Sequence, residues 1–282
     1  MGIGLVHPIV VRPTKEMTHD QERLTTRSSD VLSISRHSEG KDFMKGVLFL
    51  ALALSAVQGI SPLHAETPTG TLVGRILYVG PAIPDQVFEV TRDSGFCGAQ
   101  ATIRTVTIHP KTRGLEGAVV SIDGVAVPLS DPAAPALVLT NTRCAFTPRL
   151  ATGVVGQQVE IRNDDPVMHN THISMGSRTL VNVAMIPASR PVWKPLKQSG
   201  IYTVKCDAHK FMQAHILAFT HPFFSITDET GAFRIPSLPP GEHQVTIWHD
   251  TLGTVHQSVT IAATGDTHVT LEYPNHADAR KQ

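Results

Sequence analysis

Over Lys205-Cys206-Asp207-Ala208-His209-Lys210-Phe211-Met212 the chain sets a thiol, an imidazole and a thioether at Cys-x2-His-x2-Met spacing. A second imidazole, His169, lies upstream in Ile161-Arg162-Asn163-Asp164-Asp165-Pro166-Val167-Met168-His169-Asn170. Two neutral imidazoles, one thiolate and a weak axial thioether are the ligand set of a mononuclear blue-copper electron-transfer site. Such a trigonal set serves both oxidation states of one copper ion. The implied metal ligands are His169, Cys206, His209 and Met212. His172 is a possible alternative to His169, and Met168 and Met175 compete with Met212. The plainer readings are a buried or disulfide-bonded Cys206, a solvated His209, a structural turn histidine at 169 and a core methionine at 212.

These residues need strands to hold them. In Gly200-Ile201-Tyr202-Thr203-Val204-Lys205-Cys206 the residues Tyr202, Val204 and Cys206 share one face of a period-2 pattern. The thiol should therefore project inward from the end of a half-buried strand. The Ile161–Asn170 stretch reads as a strand end that turns and presents His169. Short strands recur about every ten residues over 136–220, with turn signals between them, which suggests a Greek-key sandwich. They include Leu137-Val138-Leu139, Cys144-Ala145-Phe146, Gln158 to Ile161, Thr179 to Val181, the Trp193 segment and His215 to Phe219. Outside that span, Thr69 to Gly80 and Leu115 to Val125 read as strands. So do Phe224 to Trp248 in three pieces, Val255 to Ile261 and His268 to Tyr273. Helical periodicity is nearly absent after residue 66, and the fold class expected is all-β.

Two resemblances extend this reading. Cys206-x2-His209-x2-Met212, together with Asp164 to Asn170, resembles the cupredoxin family over roughly 136–220, and the loop looks like the short ligand loop of amicyanins. The resemblance implies a strand-borne thiolate at Cys206 and imidazole ligands at His169 and His209. It implies an axial thioether at Met212 and a second-shell role for Asn170, pinning the Cys-containing loop. It also implies that His209 presents a ring edge to solvent, rimmed by Ala208, Phe211 and Met168, through which electrons pass to a docked redox protein. Gly74-Arg75-Ile76, Leu115 to Ile122, Thr227 to Phe233 and Leu238-Pro239-Pro240-Gly241 resemble the carboxypeptidase-regulatory-like (prealbumin-like) β-sandwich. Those pieces lie on both sides of the copper motif. The expectation is one sandwich built from 69–130 and 222–273 with a cupredoxin domain, 136–220, inserted. The alternative is three modules in series. The combination also resembles exported methylamine-utilisation-type proteins.

The 282 residues carry 24 Lys+Arg against 24 Asp+Glu, so no basic surplus points to nucleic acid. Residues 1–43 read as a disordered extension outside the fold, with Met44 as the natural start. Residues 44–65 read as a signal peptide cleaved near Ala65, its apolar run short for a membrane span. An uncleaved anchor is the alternative. Without 1–65 the chain keeps 17 basic and 18 acidic residues, a near-neutral periplasmic protein with no stable membrane insertion. Residues 126–135 read as a linker and 274–282 as a polar tail. All three cysteines follow the signal. With Cys206 claimed by the metal motif, Cys97 and Cys144 remain to pair in an oxidising compartment, or to stay as two buried thiols. Trp193 and Trp248 read as core, and His243, His249 and His256 as surface residues of the flanking sandwich.

The chain shows no nucleophile–base pair, convergent carboxylates or nucleotide fingerprint, so an enzyme is not expected. Without a Cys-x3-Cys pair a binuclear copper centre is disfavoured, and without His-x-His pairs a multicopper oxidase is too. The leading expectation is an exported one-electron carrier with one type 1 copper ion. The alternatives are copper handling without redox turnover and a structural β-sandwich.

Overall fold

A computed structural model describes residues 69–125 and 134–274. The 1–43 extension, the 44–65 signal, most of the 126–135 linker and all but the first residue of the 274–282 tail lie outside the described residues.

Alternation builds the first strand. Leu72, Ile76 and Tyr78 of β1 (Gly70–Val79) point into a core, with Arg75 and Val79 outside. Next come β2 (Gln86–Glu89), a single turn of helix α1 (Ser94–Cys97), β3 (Gln100–Ile103), β4 (Thr107–Ile108), β5 (Leu115–Glu116) and β6 (Val119–Ile122). The middle of the chain forms β7 (Leu137–Thr142), β8 (Ala145–Thr147), β9 (Leu150–Val154), β10 (Gln158–Asn163) and β11 (His169–Met175). It continues through β12 (Arg178–Met185), β13 (Val192–Pro195), β14 (Gly200–Lys205) and β15 (Gln213–Phe219). The last part forms β16 (Phe224–Ile226), β17 (Ala232–Leu238), β18 (Gly241–His249), β19 (Gly253–Ile261) and β20 (Gly265–Pro274).

Both flanks of the middle segment share sheets. β1 lies between β17, antiparallel, and β20, parallel; β6 lies between β16 and β18. Parallel neighbours cannot be joined by a tight turn, and here the connection between β1 and β20 is most of the chain. The two flanks bury one core, in which Leu72, Ile76 and Tyr78 meet Ile247, Leu271 and Tyr273. Modules in series would each close their own core. A turn at Asp228–Gly231 fits one flank against the other. Asp228 Oδ1 accepts from the backbone of Thr230 and Ala232, and Gly231, at φ 80°, lies against the Ile76 carbonyl and Gly114.

The middle segment forms a second sandwich from the sheets β13-β10-β7-β8 and β12-β11-β14-β15-β9. Its core holds Leu139, Ile161, Ile173, Val204 and Ile216. The chain is all-β, as the sequence implies.

Several local expectations differ. Leu115–Val125 is not one strand, because Gly117 takes φ 73° and breaks the run between β5 and β6. Strand β11 has no apolar alternation to announce it, since its inward positions include His169 and Thr171. Residues 86–103, on the near side of the linker, pack on the second core through Val90, Phe88 and Ala101. Trp193 stands 51% exposed on the outer face of β13 rather than in the core. His249, expected on the surface, is buried at the end of β18.

Candidate metal centre

The ligand-bearing hairpin follows from its register. β14 pairs with β15 up to Lys205 opposite Gln213, leaving Cys206–Met212 as the connecting loop. Within it the Cys206 amide donates to the Met212 carbonyl (3.3 Å) and the Met212 amide to the His209 carbonyl (2.9 Å). Three potential donors thus sit on one tightly closed loop. On the other side β14 pairs with β11, with His172 opposite Lys205. The chain therefore brings Cys206 alongside the first residues of β11, near His169.

One donor atom from each of His169, Cys206 and His209 lies within 4.8 Å of the others, and all three residues are buried. His209 Nδ1 is 3.6 Å from Cys206 Sγ, and the two imidazole centroids are 4.9 Å apart. His169 Nε2 bonds Asp165 Oδ2 at 2.8 Å, whereas His169 Nδ1 is buried with no hydrogen-bond partner. A buried ring nitrogen left orphaned costs free energy unless something takes its lone pair. Burial holds the His169 imidazole below its ordinary pKa, against the opposing hydrogen bond that it donates to Asp165. The neutral ring with Nε2 protonated is the form that offers Nδ1 as a ligand. Two imidazoles and a thiol in this arrangement fit a soft or borderline metal ion. A second grouping, Cys144, Asp165 and His169, cannot supply a thiolate, because Cys144 is disulfide-bonded to Cys97. Cys206 is the free, buried cysteine.

The supporting residues are fixed in turn. Asn170 donates its amide to Cys206 Sγ at 3.4 Å and accepts from the Asp207 amide through Oδ1 at 3.4 Å, tying β11 to the loop. Asp165 accepts from the amides of Arg143 (2.6 Å) and Cys144 (2.8 Å) as well as from His169. Asn163 bonds the carbonyls of Val167 and Met185, which shapes the turn that delivers His169. Met212 is buried in the same core as Cys206.

Two sequence expectations are corrected here. His172 is not at the site: it faces away from His169 on β11, half-exposed, with Nε2 3.1 Å from Thr179 Oγ1. Nor does His209 offer an edge to solvent. It is 2% exposed, its Nε2 lies 3.2 Å from Asp93 Oδ2 and 3.8 Å from Cys97 Sγ, and Phe211 beside it is buried. The segment around α1, anchored by the Cys97–Cys144 bridge, covers the expected apolar rim. Sequence reasoning gave no role to Asp93 or Asp165. Asp165 stands in the turn four residues before His169 and could have been suspected as its partner. Asp93 is more than a hundred residues from His209, and nothing local marks it.

No protein-family model matches this chain, and no curated protein matches it. Among solved structures, amicyanin from Paracoccus versutus is 18% identical and aligns over 36% of this chain and 97% of its own, with a TM-score of 0.28. A copper-containing nitrite reductase from Thermus scotoductus is 19% identical over 34% of this chain and 25% of its own, with a TM-score of 0.29. A purple cupredoxin from Nitrosopumilus maritimus is 18% identical over 29% of this chain and 99% of its own, with a TM-score of 0.26. Among the described residues no helix is long and apolar enough to cross a membrane.

Proposed function

We propose that this protein holds one type 1 copper ion and acts in one-electron transfer, as an exported carrier rather than an enzyme. The observation that carries the reading is the orphaned, buried His169 Nδ1 in a cluster with the Cys206 thiol and His209 Nδ1. A bound copper ion would supply a one-electron couple that no side chain of the cluster has. The chain's own work is positional. Cys206 would bind as the thiolate, its proton displaced by the metal. The packed strands β11 and β14 hold His169 and Cys206 at a fixed separation, and the short loop limits the travel of His209 and Met212. The Asn170 amide donates to the Cys206 sulfur at 3.4 Å and holds it against the start of β11. Its physiological partner would be a redox protein in the periplasm.

A second reading, copper binding without redox turnover, has one observation in its favour. His209 is buried beneath Asp93, so the site lacks the exposed ring edge that contact with a partner would use.

Absorption spectra of the copper-loaded protein, before and after ascorbate, separate these readings. Electron transfer predicts an intense blue or green colour that bleaches and returns on reoxidation. Cys206→Ser and His169→Ala should abolish the colour, and His172→Ala should keep it. A colourless wild type, or unchanged copper affinity in Cys206→Ser, defeats the thiolate site. Colour without reversible bleaching favours the second reading.

A further inference from the structure

We propose that Asp93 is a positioning residue of the metal centre, holding the His209 imidazole from behind as Asp165 holds His169. The inference rests on the copper reading above and adds a residue to it. Its first support is proximity at the same ring atom. Asp165 Oδ2 accepts a hydrogen bond from His169 Nε2 at 2.8 Å, and Asp93 Oδ2 lies 3.2 Å from His209 Nε2, within ion-pair distance but not aligned as a hydrogen bond. A carboxylate that accepts from the far ring nitrogen fixes the tautomer and leaves the near nitrogen its lone pair. In both rings the near nitrogen is Nδ1: it is the orphaned atom of His169, and in His209 it lies 3.6 Å from Cys206 Sγ.

The second support is what Asp93 does not do. It stands at the N-cap of α1, where an aspartate ordinarily gives its carboxylate to backbone amides. Here the side chain caps no amide, and only the Asp93 carbonyl accepts, from Phe96 and Cys97. The backbone of Asp93 is left-handed, at φ 53°, a conformation costly for most residues but accessible to Asp, Asn and Gly. The carboxylate is thereby turned towards His209, with Arg92 Nε at 3.8 Å.

The third support is the tether. Cys97 follows Asp93 by one helical turn and is bridged to Cys144, and the Cys144 amide donates to Asp165 Oδ2 at 2.8 Å. One disulfide thus locates both carboxylates, one through each of its cysteines. Asp165 fixes the His169 ring by a hydrogen bond, and Asp93 stands over the far nitrogen of the buried His209 ring.

Asp93→Gly removes the carboxylate while tolerating the backbone, and Asp93→Asn removes the charge but keeps an acceptor. Nitrogen NMR of the metal-free protein at neutral pH should find His209 as one tautomer, Nε2–H, in the wild type and as a mixture in Asp93→Gly. Release of copper to a chelator should quicken by about 10–100-fold in Asp93→Gly and by less in Asp93→Asn. Denaturant unfolding and thiol counting accompany both variants. If Asp93→Gly does not fold, the release rate of Asp93→Asn decides. Unchanged tautomer and unchanged release in a folded variant overturn the role of Asp93 while leaving the copper reading intact. If Cys206→Ser binds copper as the wild type does, the copper reading falls, and the tautomer in the metal-free protein still tests the hold of Asp93.

Discussion

A strand sends successive side chains to opposite faces, and that parity decides between His169 and His172. The first points into the sandwich beside Cys206, and the second, three positions on, points out towards Thr179. At this scale Met212 offers a clean test, because leucine nearly conserves its volume. Met212→Leu should change stability by less than about 1.5 kcal/mol. The reduction potential of the copper-loaded protein should nonetheless shift, since the axial ligand tunes it. Cyclic voltammetry reads the shift, and an unchanged potential removes Met212 from the ligand set. Cys206, His209 and Met212 were legible as candidate donors because their spacing is local, and His169 only by its place at a strand end, 37 residues upstream of Cys206. Their carboxylate holders were not, since a lone Asp in a turn looks like any other turn residue.

Where the two sandwiches meet, an apolar cluster and an ion pair join them, with buried histidines beside them. Leu217 of β15 packs with Val119 of β6 and Trp248 of β18. Alongside them, Arg149 from the β8–β9 turn bonds Asp250 just after β18 at 2.5 Å, and the His215 ring stands edge-on to Trp248 at 5.4 Å. Burial pushes the His249 imidazole down to about 4, against the nearby Asp250 carboxylate, and also lowers His215 and His221. The sign follows from proton uptake. A histidine with a depressed folded pKa binds more protons unfolded, so its contribution is complete above about 6.5 and is lost as pH falls towards 4. For His249 the full span is on the order of 3 kcal/mol. Urea unfolding at pH 7.5 and pH 4.5 should show stability falling with acid. His249→Gln should flatten that dependence, and an equal slope in the variant removes His249 as its cause. A separate test concerns the Asp228–Gly231 turn. A Cβ on Gly231 would meet the Ile76 carbonyl at 2.5 Å in a left-handed backbone. Gly231→Ala should therefore cost at least about 1–2 kcal/mol, measured as a lower denaturation midpoint.

At the scale of the whole molecule, one sandwich is interrupted by another. The chain leaves the flanking sandwich just beyond β6 and re-enters at Phe223, whose carbonyl accepts from the Ile122 amide at 3.1 Å. Exit and entry are thus neighbours on adjacent strands, the arrangement that lets an insertion fold without pulling its host apart. Replacing 126–221 by a short turn should leave the core of Leu72, Ile247 and Tyr273 intact. The 86–103 segment would lose its packing partner. A cooperative thermal transition in the excised chain supports the interrupted architecture, whereas an unfolded product shows the two cores to be interdependent. Reduction of Cys97–Cys144 acts at the same scale. It frees a loop spanning a separation of 47 residues and should cost about 2–4 kcal/mol, seen as a lower midpoint under dithiothreitol.

The sequence alone pointed to the all-β class, to the Cys206–Met212 loop as a candidate donor set and to the two flanks as parts of one sandwich. It could do so because alternation, turn residues and ligand spacing are properties of neighbours along the chain. The tertiary structure alone decided that the 86–103 segment leaves its flank to cover His209, that Asp93 faces Nε2, that His249 is buried and that Trp193 is not. Cys97 and His209 are 112 residues apart. Contacts at that distance are set by how strands order within sheets and by where a disulfide anchors a loop, and neither leaves a periodic trace in the residues themselves.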